Sequence, residues 1–134
     1  MVTNDDLYNI AEKRGHVVVW ERLTESPSLS LQTSKRCYIA IDSHLNAQQE
    51  RESLAHELGH CEYGGFYNRY SRYDIRAKAE RRADKWAFAR LVPYGRLVKA
   101  VRQGTTEVWE LAELFDVSPD FMRRAMEYYK TAIL

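Results

Sequence analysis

A chain of 134 residues with 45% hydrophobic and 29% charged residues has the size and make-up of one globular domain with a modest core, which excludes a disordered chain and leaves no room for a separate recognition domain. The N-terminal stretch MVTNDDLYNIAEKRG lacks the basic start and apolar core of a signal peptide, and no apolar run reaches membrane-spanning length, so a cytoplasmic protein with no membrane partner is expected. The net charge of +1 conceals an asymmetry: residues 1–65 hold 6 Lys/Arg against 10 Asp/Glu, residues 66–102 hold 11 against 3, and residues 103–134 hold 3 against 6.

Residues 3–14 read as a helix, with Thr3 and Asp6 at capping-box spacing, Leu7, Ile10 and Ala11 on one face, and Gly15 as the stop. The β-branched and aromatic run 16–20 reads as a strand, and 24–30, with Pro27 and several Ser/Thr residues, as a loop or irregular edge. Residues 35–42 alternate as a second strand, to which Leu29 and Leu31 add a short partner. A central helix starts near Asn46, capped reciprocally with Gln49, carries the stripe Leu54, Leu58 and Cys61, and stops at Gly64-Gly65. Gly59 inside that helix costs roughly 1 kcal/mol relative to Ala, so a closely packed neighbour is expected there. Cys37 and Cys61 share no CxxC spacing and read as buried structural thiols rather than a disulfide framework.

The stretch 66–73 is rich in aromatic rings, which suit either a lip over a site or a cover for the core. A third helix, capped by Ser71 with Asp74, follows through the row Ile75, Ala79, Ala83, Ala87 and Leu91 until Pro93 ends it. Short helices are then expected over 96–102, closed by Gly104, over 107–115, and from Ser118 as N-cap with Pro119 in the first turn to about residue 130. The layout is α+β in a single domain, 1–134, with a core over 1–102 and a C-terminal helical segment over 103–134.

The central helix carries His56-Glu57-Leu58-Gly59-His60, the pattern HExxH. On a helix His56 and His60 point the same way and can hold one metal ion, while Glu57, about 100° round the helix, reaches water beside the ion without ligating it. The next helix offers Glu80 and Asp84 at i and i+4. In that arrangement Glu80 serves as third zinc ligand and Asp84 as the carboxylate that orients a ligating histidine, although either could ligate. Two histidines and a carboxylate leave the fourth position of one Zn2+ ion open, which suits hydrolysis with Glu57 as catalytic base. The strand over 36–41 is a candidate edge for pairing with an extended peptide.

The run LAHELGH, an aromatic loop and AERRADKWAFARLVP together resemble the ImmA/IrrE family of small bacterial and phage zinc metallo-endopeptidases, a resemblance that covers nearly the whole chain. It implies a small zincin-like domain with His56, His60 and Glu80 as zinc ligands and Glu57 as base. Asp84 stands where the family often has Asn. The resemblance also implies a protein substrate, a helix-turn-helix transcriptional repressor, and an origin in a phage or other mobile element.

Two rivals stand beside this reading. One is a protein that binds a repressor without cutting it. The other is a DNA-binding helix-turn-helix module with a structural metal, for which Ala112, Val117 and Ser118 have suitable spacing. The acidic balance of 103–134 argues against direct nucleic-acid binding, because phosphate neutralisation needs the opposite charge.

Overall fold

A computed structural model describes residues 1–63 and 71–133. The Gly64-Gly65 stop and the part of the aromatic stretch over 66–70 lie outside the described residues. The first helix, α1 (Asn4–Lys13), opens on the expected capping box: the Thr3 hydroxyl accepts from the Asp6 amide at 3.1 Å, and the Asp6 carboxylate accepts from the Thr3 amide at 2.8 Å. Its apolar face buries Leu7 and Ala11.

Three strands follow, β1 (Val17–Glu21), β2 (Ser28–Gln32) and β3 (Cys37–Asp42). They form a mixed sheet in the order β1-β3-β2, with β3 parallel to β1 and antiparallel to β2. The β3 alternation buries Cys37, Ile39 and Ile41 on the face that α2 (Ala47–Tyr63) covers. The start of α2 is fixed by Asn46 and Gln49, whose side chains bond each other's backbone amides at 2.8 and 3.0 Å. Because β3 is paired on both sides, it cannot take up an extended peptide. The expectation that residues 36–41 form a free edge is corrected, and the strand bordering the cleft is β2.

Cys37 and Cys61 are joined by a disulfide, which corrects the reading of two separate buried thiols. The reason is tertiary: Cys37 opens β3 on its buried face and Cys61 sits on the sheet-facing side of α2, so residues 24 apart in sequence have Cα atoms 5.9 Å apart.

The helix α3 (Tyr73–Leu91) packs along α2 in the opposite direction. Arg72 is its N-cap and makes no side-chain cap bond, which puts the helix start one residue later than a cap at Ser71 would. Of the expected small-residue row, Ala79, Ala83, Ala87 and Leu91 are buried, whereas Ile75 is exposed. Gly59 marks a close approach, since a Cβ there would stand 2.6 Å from the Ala83 carbonyl oxygen.

The remaining helices are α4 (Tyr94–Arg102), α5 (Val108–Phe115) and α6 (Pro119–Ile133). The α5–α6 turn is tied to the first half of α2. Arg51 donates to the Asp116 carboxylate at 2.9 Å and to its carbonyl at 2.7 Å, while the Ser118 hydroxyl donates to Glu52 at 2.7 Å. From α6 the Tyr129 hydroxyl, its pKa pushed up to about 12 by burial, donates to the Val92 and Phe88 carbonyls at the end of α3. Leu7, Ile39, Leu54, Leu91, Leu111 and Met122 thus belong to one apolar cluster that runs from α1 to α6. Among the described residues no helix is long and apolar enough to cross a membrane.

Candidate metal centre

The crossing of α2 and α3 brings together the side chains that the two motifs supply. His56 and His60 lie one turn apart on α2, and Glu80 reaches both from α3. Its Oε2 is 2.7 Å from His56 Nε2 and its Oε1 is 3.2 Å from His60 Nε2. The two imidazoles stand edge to face, with centroids 4.9 Å apart. Asp84, one turn after Glu80, lies behind His56, with its Oδ1 2.9 Å from Nδ1. The close contact at Gly59 and Ala83 sets this helix separation.

This donor set fits a metal ion. Two imidazole nitrogens and one carboxylate oxygen lie within 4.8 Å of one another. Ligand atoms on a tetrahedral zinc with bonds of ~2.1 Å are roughly 3.4 Å apart, so small outward side-chain movements would admit the ion. Once Nδ1 of His56 donates to Asp84, Nε2 is the nitrogen left to ligate. Asp84 makes its contact on the far side of the ring from Glu80.

Electrostatics match that geometry. Burial alone would lower the His56 pKa, but hydrogen bonds to Asp84 and Glu80 outweigh it and raise the value to about 10. Two carboxylates face this one imidazole, an arrangement that favours positive charge between them. The site is therefore built for positive charge.

Glu57, which lines the same cleft as His56 and Glu80, is 6% exposed and bonds to the sheet. Each of its carboxylate oxygens accepts one serine hydroxyl at 2.7 Å, Oε2 from Ser28 and Oε1 from Ser30. Sequence reasoning missed both serines, which fall in a stretch read as a loop or irregular edge. The signal lies in Ser28-Leu29-Ser30-Leu31, where Leu29 and Leu31 face solvent and the serines face α2. This inverts the usual burial of a strand on a core, and the buried Glu57 carboxylate explains the inversion.

A cavity of ≈ 550 Å³ opens over the centre. His56, Glu57, Glu80 and Asp84 line it together with Pro27 and Ser28 from the sheet side and Phe121 and Arg124 from α6. Arg124 Nη1 lies 3.5 Å from Asp84 Oδ1, and its guanidinium sits 5.6 Å from the Phe121 ring centroid. The C-terminal helical segment thus also supplies one wall of the cleft. Its Arg124 is a third residue that sequence reasoning missed, because nothing local links position 124 to position 84.

Comparison with known proteins agrees with the fold. A peptidase family model described as the IrrE N-terminal-like domain matches residues 11–127. Among solved structures, a Mycobacterium tuberculosis transcriptional regulator superposes with a TM-score of 0.68 at 18% sequence identity. The alignment covers 91% of this chain but only 41% of that one, so the chain spans less than half the length of this structural relative. No curated protein matches the sequence.

Proposed function

The chain belongs to the IrrE N-terminal-like peptidase family, and on that footing we propose that it is a zinc-dependent endopeptidase that cuts a regulatory protein inside the cell, a helix-turn-helix repressor. The observation that carries this reading is the convergence of His56, His60 and Glu80 beside a buried carboxylate, Glu57, at the floor of an open cleft. Such a cleft suits a polypeptide segment better than a closed pocket would.

In this reading His56, His60 and Glu80 hold the ion. A zinc ion there supplies a Lewis acid that polarises a carbonyl and makes water acidic near neutral pH. Glu57 accepts the proton of the attacking water and returns it to the departing amine. Ser28 and Ser30 fix the Glu57 carboxylate in one orientation through both oxygens, so little reorganisation accompanies proton transfer. Asp84 keeps the His56 ring in its ligating pose. An extended substrate would lie along β2, and Arg124 at the opposite wall offers a cationic partner for its carbonyls or acidic side chains.

The resemblance noted from sequence supports a repressor as the target, and the phage or mobile-element setting comes from the same source. The test uses purified protein, a metal assay and a helix-turn-helix repressor as candidate substrate. Zinc at about one ion per chain is expected, with discrete repressor fragments from wild type and none from Glu57→Gln, which should retain the metal. Full relief of repression by Glu57→Gln in cells would instead make this a binder that does not cut.

A further inference from the structure

His16, Cys37 and Cys61 form a second cluster, on the side of α2 that faces the sheet. One histidine nitrogen and both sulfurs lie within 4.8 Å of one another, although the residues come from the α1–β1 junction, the start of β3 and the end of α2. Cys37 is 2% and Cys61 8% exposed. Both ring nitrogens of His16 are buried without a hydrogen-bond partner, as is Glu62 Oε1, which lies 3.7 Å from His16 Nε2. A neutral imidazole carries one N–H and one lone pair, and shielding both from water costs free energy unless a partner takes them up. The disulfide serves poorly as that partner, because bonded sulfur is a weak acceptor with no proton to give.

We propose that the reduced cysteine pair and His16 form a second metal site, separate from the His56 centre, that takes a thiophilic divalent cation of the zinc class. A dithiol reductant breaks the Cys37–Cys61 bond, delivering two electrons and two protons while becoming a disulfide itself. Cation binding then releases both thiol protons. The two sulfurs and the His16 nitrogen supply three donors of mixed softness, the set that zinc and cobalt prefer. Glu62 takes the outer position, accepting the remaining His16 N–H, and is itself braced by Arg14 at 3.5 Å. Sulfurs on one tetrahedral ion stand roughly 3.7 Å apart, and Cα atoms 5.9 Å apart leave room for that separation. The disulfide and the metal-bridged form are therefore alternative clamps between β3 and α2, and disulfide formation expels the ion.

Cobalt titration of metal-free protein tests this, because the His56 centre contains no sulfur and cannot imitate the signal. Protein reduced with a phosphine should bind a second Co2+ ion with a sulfur-to-cobalt charge-transfer band in the near ultraviolet. Oxidised protein should show no such band. Replacing both cysteines, Cys37→Ser with Cys61→Ser, should abolish the band, and His16→Gln, with both cysteines in place, should weaken binding of the second ion at least about tenfold. Absence of the band from reduced wild type overturns the proposal, as does undiminished affinity in His16→Gln. Neither result depends on whether the His56 centre is loaded or active.

Discussion

Gly59 of α2 rests directly on Ala83 of α3: a Cβ at position 59 would meet the Ala83 carbonyl oxygen at 2.6 Å and its Cα at 2.8 Å. Both neighbours are backbone atoms, so neither can turn aside. Elsewhere in a helix, Gly59→Ala would stabilise by about 1 kcal/mol through propensity. Here the helices must separate, at an overpacking cost of typically 1–3 kcal/mol. The expected outcome is a lower melting temperature together with weaker metal binding, because Glu80 and Asp84 flank Ala83 and retreat with it. A variant that melts higher and keeps its metal would refute this account of the contact.

The two serine hydroxyls on Glu57 predict a separation of binding from catalysis. Ser28→Ala or Ser30→Ala removes one charge-assisted hydrogen bond, an interaction of about 1.5–3 kcal/mol. The carboxylate then gains freedom, and kcat should fall roughly tenfold for each variant on the scale of general-base catalysis. Metal content should be unchanged, since both serine hydroxyls are spent on Glu57 and not on a ligating side chain. Zinc stoichiometry measured beside peptide-hydrolysis rates checks this, and loss of metal in parallel with rate would assign the serines to the ligand set instead.

The ease of reading these features from sequence follows the range of the interaction responsible. Thr3 with Asp6 and Asn46 with Gln49 are local exchanges of hydrogen bonds, so their positions identify the helix starts directly. The HExxH spacing is likewise local, and Gly59 announced a close neighbour without naming it. Ser28 and Ser30 were obscured because strand patterning assumes that the apolar residues face inward, whereas here a buried carboxylate recruits the polar ones. Arg124 beside Asp84, and Cys37 beside Cys61, depend on how whole elements are stacked. No spacing rule within one segment reports such contacts.

His56 predicts a pH dependence of opposite sense for the metal-free protein and for metal uptake. Burial lowers its pKa, the Asp84 and Glu80 carboxylates more than reverse this, and the folded value rises from 6.5 to about 10. A raised value means that the folded state holds the proton more tightly than the unfolded chain. This stabilisation is therefore complete below pH 6.5 and is lost as pH rises through about 10. Metal must displace the same proton, so its apparent affinity should rise across that window, approaching tenfold per pH unit from this group. Thermal melts of chelator-treated protein and competitive zinc titrations at several pH values measure the two slopes. Both should flatten in His56→Gln, and unchanged slopes there would remove His56 as their source.

Asp116 adopts φ 54° and ψ 50° at the α5–α6 turn, a left-handed conformation in which glycine is at ease and most L-residues are strained. Its carboxylate also receives Arg51 at 2.9 Å and Gln48 at 3.3 Å, so one side chain both strains the turn and anchors it to α2. Because the Asp116 side chain is 51% exposed, solvent limits the ion pair to at most about 1 kcal/mol. Asp116→Gly loses the pair but relaxes the backbone, and should stay within about 1 kcal/mol of wild type. Asp116→Ala loses the pair and keeps the strain, so it should be less stable than the glycine variant by roughly 1 kcal/mol. Denaturant melts of the two variants decide the matter. Equal losses would mean that the carboxylate contacts alone hold the turn, whereas the expected gap would show that backbone conformation at this residue helps to seat α6, and with it Arg124, against the cleft.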